Sequence, residues 1–293
     1  MARHTSLAAI SNPLVTSKQL LEFREHQQPQ AEADVALFKI SLLTQAAGVL
    51  LRLPQEIIAT SIVILQRYLT STFNPSSDLK LANANITPDS APTRASSAAL
   101  YLTAKQSFYP LSPRSIINVY ALLTSPTTSP LPFINPSASA TNLSSSTQPP
   151  NPQPHHITEG THQSRRQILF TTEKSILAAL AFDTKVVLPH TLALTYLQSL
   201  SATASTSNPD LAERVLARLN AALLSPQLLY LTHQPNALAV AAIYLAAREV
   251  GVALVDNGVA WWEVFDVGRE ELGFLVLSFG SLGGFVEAKM GGG

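Results

Sequence analysis

Cysteine is absent from all 293 residues. That excludes disulfide frameworks, thiolate metal sites and cysteine nucleophiles, and it fits a reducing compartment. Charge is scarce as well: 13% of residues carry it, against roughly 25% in an ordinary soluble domain, so part of the surface is expected to be covered by a partner. The 19 basic residues balance the 19 acidic ones, which leaves no net field to attract nucleic acid or anionic lipid. Long hydrophobic runs are missing too. Leu7 to Ile10 is too short for a signal-peptide core. Leu272 to Val286 is interrupted by Gly and Ser and falls short of the roughly 20 residues a span needs. A soluble intracellular protein with no membrane partner is expected.

Catalytic signatures are also lacking. There is no G-x-S-x-G elbow, no G-x-x-x-x-G-K-[ST] loop and no G-x-G-x-x-G after a strand. His155, His156 and His162 lie in a Pro/Ser-rich stretch without a fourth ligand, so neither a metal site nor a cofactor is expected. His190 follows Pro189 at a helix start and reads as a structural histidine. Trp261-Trp262 reads as one ring in the core and one at its rim. Strand alternation is nearly absent, with Val252 to Val255 its best candidate.

What is present is a repeat. Ala98-Ala99-Leu100-Tyr101-Leu102-Thr103-Ala104-Lys105 returns as Ala241-Ala242-Ile243-Tyr244-Leu245-Ala246-Ala247-Arg248. Each copy is apolar almost all round and ends in a cation, the pattern of a helix enclosed by other helices. Two such helices suggest two related helical domains, each built around one centre.

The flanks agree. Apolar residues recur at three- and four-residue steps from Ala31 onward (Leu37, Ile40, Leu43, Ala47, Leu50) and again over Ile57, Ile58, Ile62, Leu65 and Leu69. Ser112-Pro113 reads as an N-cap followed by proline in the first helical turn. The pattern resumes at Arg165 and continues through helices opened by Pro189, Pro209 and Pro235, to a last one over Arg269 to Phe279. Gly251 should stop the second copy in a left-handed cap, while Gly280, Gly283 and Gly284 read as a flexible end. The expected fold is all-α, with about five helices on each side of residue 185. The expected division is a flexible N-terminal segment, 1–30, with a short helix at Ser17–His26; a first domain, 31–186; a second, 187–286; and a flexible tail, 287–293. Within the first domain, residues 125–164 hold eight of the twenty prolines and are expected to be disordered. Ser125-Pro126 and Ser129-Pro130 there read as accessible candidate phosphosites for a proline-directed kinase.

The segment Gln45-Ala46-Ala47-Gly48-Val49-Leu50-Leu51-Arg52-Leu53-Pro54-Gln55 resembles the start of a cyclin box, most like the transcription- and splicing-associated cyclin L group. The resemblance continues through the helix ending in Lys105, Arg114-Ser115-Ile116-Ile117-Asn118-Val119, Glu173-Lys174-Ser175-Ile176-Leu177, Phe182 and Leu188-Pro189-His190. It then takes in Gln234-Pro235, Ile243 to Arg248, Trp262 and Phe265, covering about residues 31 to 280. Cyclin Q, which the Trp pair resembles, and the cyclin K/T/C group are the alternatives. The resemblance implies two tandem five-helix cyclin folds in a nuclear, non-catalytic regulatory subunit. Its partner would be a cyclin-dependent protein kinase acting in RNA polymerase II transcription or RNA processing. It also implies kinase-binding roles for Lys105 and Glu173, an ammonium and a carboxylate able to hold the backbone of the kinase's mobile helix. Gln106 and Ser107 stand where that group usually has acidic residues, and its Arg/Ser-rich tail does not appear. A general-transcription-factor-B-like protein, with the same tandem fold gripping DNA, would need a basic surface, and no direct nucleic-acid contact is expected of a neutral chain. A non-activating cyclin-fold scaffold is the third reading.

Overall fold

In the computed structural model, residues 11–27, 29–71, 81, 86–135, 157–204, 209–254, 258 and 260–290 are described. Among them every regular element is helical and no strand occurs, Val252 to Leu254 included. The chain forms two compact units, one of residues 19–184 and one of residues 185–293 joined by residues 1–18.

The 19–184 unit contains α1 (Ser17–His26) from its third residue onward, α2 (Gln30–Leu50), α3 (Gln55–Thr70), α4 (Ala91–Gln106), α5 (Pro113–Leu123) and α6 (Glu159–Ala179). The first copy of the repeat is α4, and it packs against α2, α3, α5 and α6. Its Ala95, Ala98, Ala99 and Ala104 are fully buried, and such small side chains let four neighbours approach one axis. Three hydroxyls inside this core are satisfied in series. The Thr44 hydroxyl donates to the Ile40 carbonyl at 2.8 Å, so its oxygen accepts from Ser96 at 2.7 Å. Ser96 in turn accepts from Tyr120, 2.6 Å away. Burial pushes the Tyr120 phenol far above its usual range, as a permanent donor requires. Gly48 lets α2 lie close to α3: a Cβ there would run into the Ile58 side chain, 2.7 Å from its Cδ1. Ser112 caps α5 by accepting from the Ser115 amide at 3.1 Å, with Pro113 in the first turn.

The expected disordered stretch 125–164 needs correction at both ends. Residues 125–135 form turns against the end of α5, where Asn135 Nδ2 donates to the Thr127 and Ser129 carbonyls, both at 3.3 Å. Helix α6 starts at Glu159, six residues before Arg165, because Thr158 caps it. Residues 136–156, with His155 and His156, lie outside the described residues.

The 185–293 unit holds α7 (Pro189–Ala204), α8 (Pro209–Leu223), α9 (Leu229–Thr232), α10 (Pro235–Val250), a 3₁₀ turn (Glu263–Phe265) and α11 (Arg269–Met290). The second copy is α10, which packs against α7, α8 and α11. Gly251 ends it at φ 75°, with the Val252 amide reaching back to the Ala247 carbonyl at 2.9 Å. Trp261 is buried and Trp262 half-buried, in a ring cluster with Tyr196, Tyr244 and Phe265. His190 Nε2 lies 2.9 Å from Asn220 Oδ1, and burial lowers its pKa.

The final helix runs well past the expected Phe279. Gly280, Gly283 and Gly284 are helical, and so are residues 287–290 of the expected tail; residues 291–293 lie outside the described residues. The stripe Leu272, Leu275, Phe279, Leu282, Val286 keeps helical spacing and stays at least half-buried throughout, which offsets the roughly 1 kcal/mol each glycine costs a helix. That extension also makes Arg269–Ala288, like Gln30–Leu50, long and apolar enough to cross a membrane by length and composition. Core helices of a folded unit pass the same test, and half of the Gln30–Leu50 window is buried by its neighbours.

Candidate functional site: a cation, a carboxylate and exposed aromatic rings

The ends of α4 and α6 carry the two residues that the resemblance singles out. Lys105 Nζ donates to Glu173 Oε1 at 3.0 Å. The partners are unequally placed: the Glu173 side chain is 9% exposed and that of Lys105 57%. The hydrogen bond and the charge of Glu173 raise the Lys105 pKa.

An aromatic floor fixes the pair. Tyr101 lies one turn before Lys105, its ring centre 5.7 Å from Nζ. Phe170 lies one turn before Glu173, and its ring meets that of Tyr101 at 6.0 Å. Residues three or four apart share a helix face, so each helix offers a ring and a charge to the other. Arg166 closes the row over Phe170 at 5.5 Å.

Beyond the pair the surface is apolar. Phe108, just past α4, is fully exposed and Tyr109 is half-exposed. Phe182, just past α6, is 74% exposed. The cap that presents it is unusual. The Phe182 amide bonds to the Leu177 carbonyl at 2.9 Å and the Ala181 amide to that of Ala178 at 3.2 Å, the two bonds of a Schellman cap. Glycine normally supplies the left-handed residue there, yet Ala181 and Phe182 both take it, at φ 48° and 63°. Two non-glycine residues in this region cost of order 1 kcal/mol or more each, and the outcome is a large ring held in solvent.

Sequence reasoning found Lys105 and Glu173 and quoted Phe182, but passed over Phe108, Tyr109 and the floor of Tyr101 and Phe170. Two adjacent rings in a connection flanked by Ser107 and Pro110 were the available signal. The other candidates fare differently. Ser125 is half-buried, its hydroxyl 3.2 Å from that of Thr127. Ser129 must be withdrawn as an accessible phosphosite. It is 1% exposed, donates to the Leu123 carbonyl at 2.5 Å and accepts from the Leu131 amide at 3.2 Å. No cluster of three potential metal ligands occurs among the described residues.

Chemically, the arrangement offers donors and an acceptor side by side. Lys105 has N–H groups beyond the one Glu173 takes, and Glu173 has a second oxygen. Flanked by apolar rings, that set suits a peptide segment whose backbone needs both.

The second copy of the repeat keeps only half of this. Arg248 lies over Tyr244 at 5.9 Å, as Lys105 lies over Tyr101. No ion pair joins Arg248 to a described residue; its neighbour Glu249 pairs instead with Arg214 and Arg218 of α8.

No protein-family model matches the chain. Among curated proteins, it is 27% identical over 252 residues to the Cyclin L homolog cyl-1 of Caenorhabditis elegans, covering 85% of this chain and 46% of that protein. To Cyclin-L2 of Mus musculus it is 28% identical over 230 residues, 78% of this chain and 37% of the relative. An uncharacterized cyclin-L1-like protein of Schizosaccharomyces pombe is 38% identical over 109 residues, 37% of this chain and 39% of that one. The chain thus spans less than half the length of these relatives. Its fold matches a chain in the crystal structure of the yeast RNA Pol II CTD kinase CTDK-1 complex, with TM-score 0.60, 13% identity and coverage of 96% of this chain and 75% of that one. It also matches one in the CAK complex of Chaetomium thermophilum bound to ATP-gamma-S, with TM-score 0.57, 14% identity and coverage of 99% and 81%. Over most of its length the chain is thus similar in sequence to curated proteins of the cyclin L group, and over nearly all of it similar in fold to chains of these two kinase complexes.

Proposed function

We propose that this chain is a cyclin: a non-catalytic regulatory subunit that binds and activates a cyclin-dependent protein kinase, in a nuclear role in RNA polymerase II transcription or RNA processing. The observation that carries the reading is the Lys105–Glu173 pair, set between exposed Phe108 and Phe182 on the ends of two packed helices. Lys105 would donate to backbone carbonyls of the kinase's mobile helix and Glu173 would accept from its amides. Desolvation at an interface strengthens such charge-assisted bonds. The rings would supply the buried apolar contact that anchors an interface. Ordering that helix completes the Lys–Glu ion pair of the kinase, on which phosphoryl transfer depends; chemistry would then belong to the partner. The transcriptional role is supported by the cyclin L relatives and by the RNA Pol II CTD kinase complex among the similar folds.

The test is affinity purification of the full chain, identification of any bound kinase, and assay on a polymerase C-terminal-repeat peptide. Phe182→Ala is the sharpest variant, because it removes an exposed ring that supports no core. It should cut kinase recovery by tenfold or more, about 1.4 kcal/mol, with helicity unchanged. Undiminished recovery with Phe182→Ala and Lys105→Glu would place the kinase elsewhere, and no co-purifying kinase at all would sink the reading.

A further inference from the structure

One residue of the N-terminal segment is held in a way its surroundings are not. Ser11, Pro13 and Leu14 are exposed, whereas Asn12 is buried. Its side chain exchanges two hydrogen bonds with a single residue of the 185–293 unit: Nδ2 donates to the Val187 carbonyl and the Val187 amide donates to Oδ1, each at 2.7 Å. Its backbone exchanges two more with the Gln234 side chain. The Asn12 amide donates to Oε1 and Gln234 Nε2 donates to the Asn12 carbonyl, each at 3.0 Å. Three residues on, the Val15 amide donates to the Leu231 carbonyl at 2.9 Å.

We propose that Val187, Leu231 and Gln234 form a peptide-recognition site that reads an Asn-Pro segment, filled in this chain by its own residues 12–15. The hydrogen bonds specify the ligand. An asparagine amide has donors and an acceptor on one short stem, and it matches the N–H and C=O of one peptide group. Aspartate at neutral pH only accepts, so it would set a charge against the Val187 carbonyl. Glutamine carries the amide one methylene too far, and alanine forfeits both bonds. Pro13 supports the same reading. The residue before a proline is held in the extended region, where its own N–H and C=O point to one side, as in a strand pair. The planar Gln234 amide meets both. Pro13 has no N–H that would need a partner, and the Val15 amide finds the Leu231 carbonyl.

Gln234 is also the N-cap residue of α10. The site therefore sits at the start of the central helix of its unit, and filling it ties residues 12–15 to that helix.

The experiment uses the full chain and a synthetic peptide of residues 9–18. In the unaltered chain the Val15 and Val187 amides should exchange with deuterium at least about tenfold more slowly than in free peptides, the worth of one net hydrogen bond. Exchange at the free-peptide rate would overturn the proposal. Asn12→Ala removes the two side-chain bonds to Val187 and so weakens the resident segment's hold; this chain should bind the added peptide at least tenfold more tightly than the unaltered chain does. The same peptide with Asp for Asn should bind at least tenfold more weakly, and should recover as pH falls below about 3.9, where the carboxyl regains a donor. Equal binding of the Asn and Asp peptides at neutral pH would overturn the recognition. If Asn12→Ala loses its helical content, the exchange measurement on the unaltered chain decides alone.

Discussion

Gly48 faces Ile58 with no room for a Cβ between α2 and α3. The obstructing atoms, Cγ1, Cδ1 and Cγ2, belong to a side chain that is itself only 1% exposed, so its neighbours leave it little room to turn aside. Gly48→Ala should therefore destabilise the 19–184 unit by about 1–3 kcal/mol through overpacking, although alanine is the better helix former. Urea unfolding of the two chains measures it. A Gly48→Ala chain as stable as the parent would show that α2 and α3 can separate freely.

Lys105 and Glu173 are unequal in burial, so removing either one has a different cost. Lys105→Ala leaves a mostly buried carboxylate without its ammonium and should cost about 1–2 kcal/mol. Glu173→Gln leaves a cation that is more than half in water and should cost under about 1 kcal/mol. Thermal unfolding of the two variants gives the order, and the reverse order would contradict the burial. Because Glu173 raises the Lys105 pKa, the pair's stabilisation is complete below about pH 10.4 and is lost as pH rises further through the raised value.

The hydroxyl series Tyr120–Ser96–Thr44 predicts an order of its own. Tyr120→Phe removes only the end donor and should cost about 1 kcal/mol. Ser96→Ala deprives Tyr120 of its acceptor and Thr44 of its donor at once, and should cost about 2–3 kcal/mol. Equal losses in denaturant titration would show that the series does not run through Ser96.

His190 and His233 both lie in the 185–293 unit, and burial lowers the pKa of each. The Asn220 contact opposes the shift at His190. The charge of Glu271 and a backbone bond at Leu229 oppose it at His233. The unfolded chain then binds more protons than the folded one just below pH 6.5, so stability must rise with pH there. The contribution is complete above about pH 6.5 and is lost as pH falls toward the lowered values. A chain with both replaced by glutamine should lose less stability between pH 7.5 and 5.5 than the parent does. Equal losses would mean that neither ring is neutral in the fold.

The fold was legible where helical spacing and proline placement agreed. Pro113 and Pro235 lie in the first turns of α5 and α10, and both copies of the repeat became enclosed central helices. It was illegible where the signal was a single polar cap. Thr158 starts α6 in a stretch that composition marks as disordered. A polar contact also hid Ser129, since nothing in a Ser-Pro pair shows that the Leu123 carbonyl will take its hydroxyl. At the candidate site, Lys105 and Glu173 could be named from their neighbours in sequence. Phe108 and Phe182 as exposed rings could not, because exposure belongs to the assembled fold. The glycines of α11 misled for the opposite reason: their low helix propensity was outweighed by the apolar stripe they interrupt.

The Asn12–Gln234 contact joins residues 222 positions apart, and that separation has a consequence in time. A ribosome adding about 5–20 residues each second would make the segment wait on the order of ten to forty seconds for its counterpart to be synthesised. Closing so long a loop also costs more entropy than closing a local one. Residues 12–15 are thus made early and are among the last to find their place. Until that loop closes, any free peptide with the same two residues could compete for Val187 and Gln234.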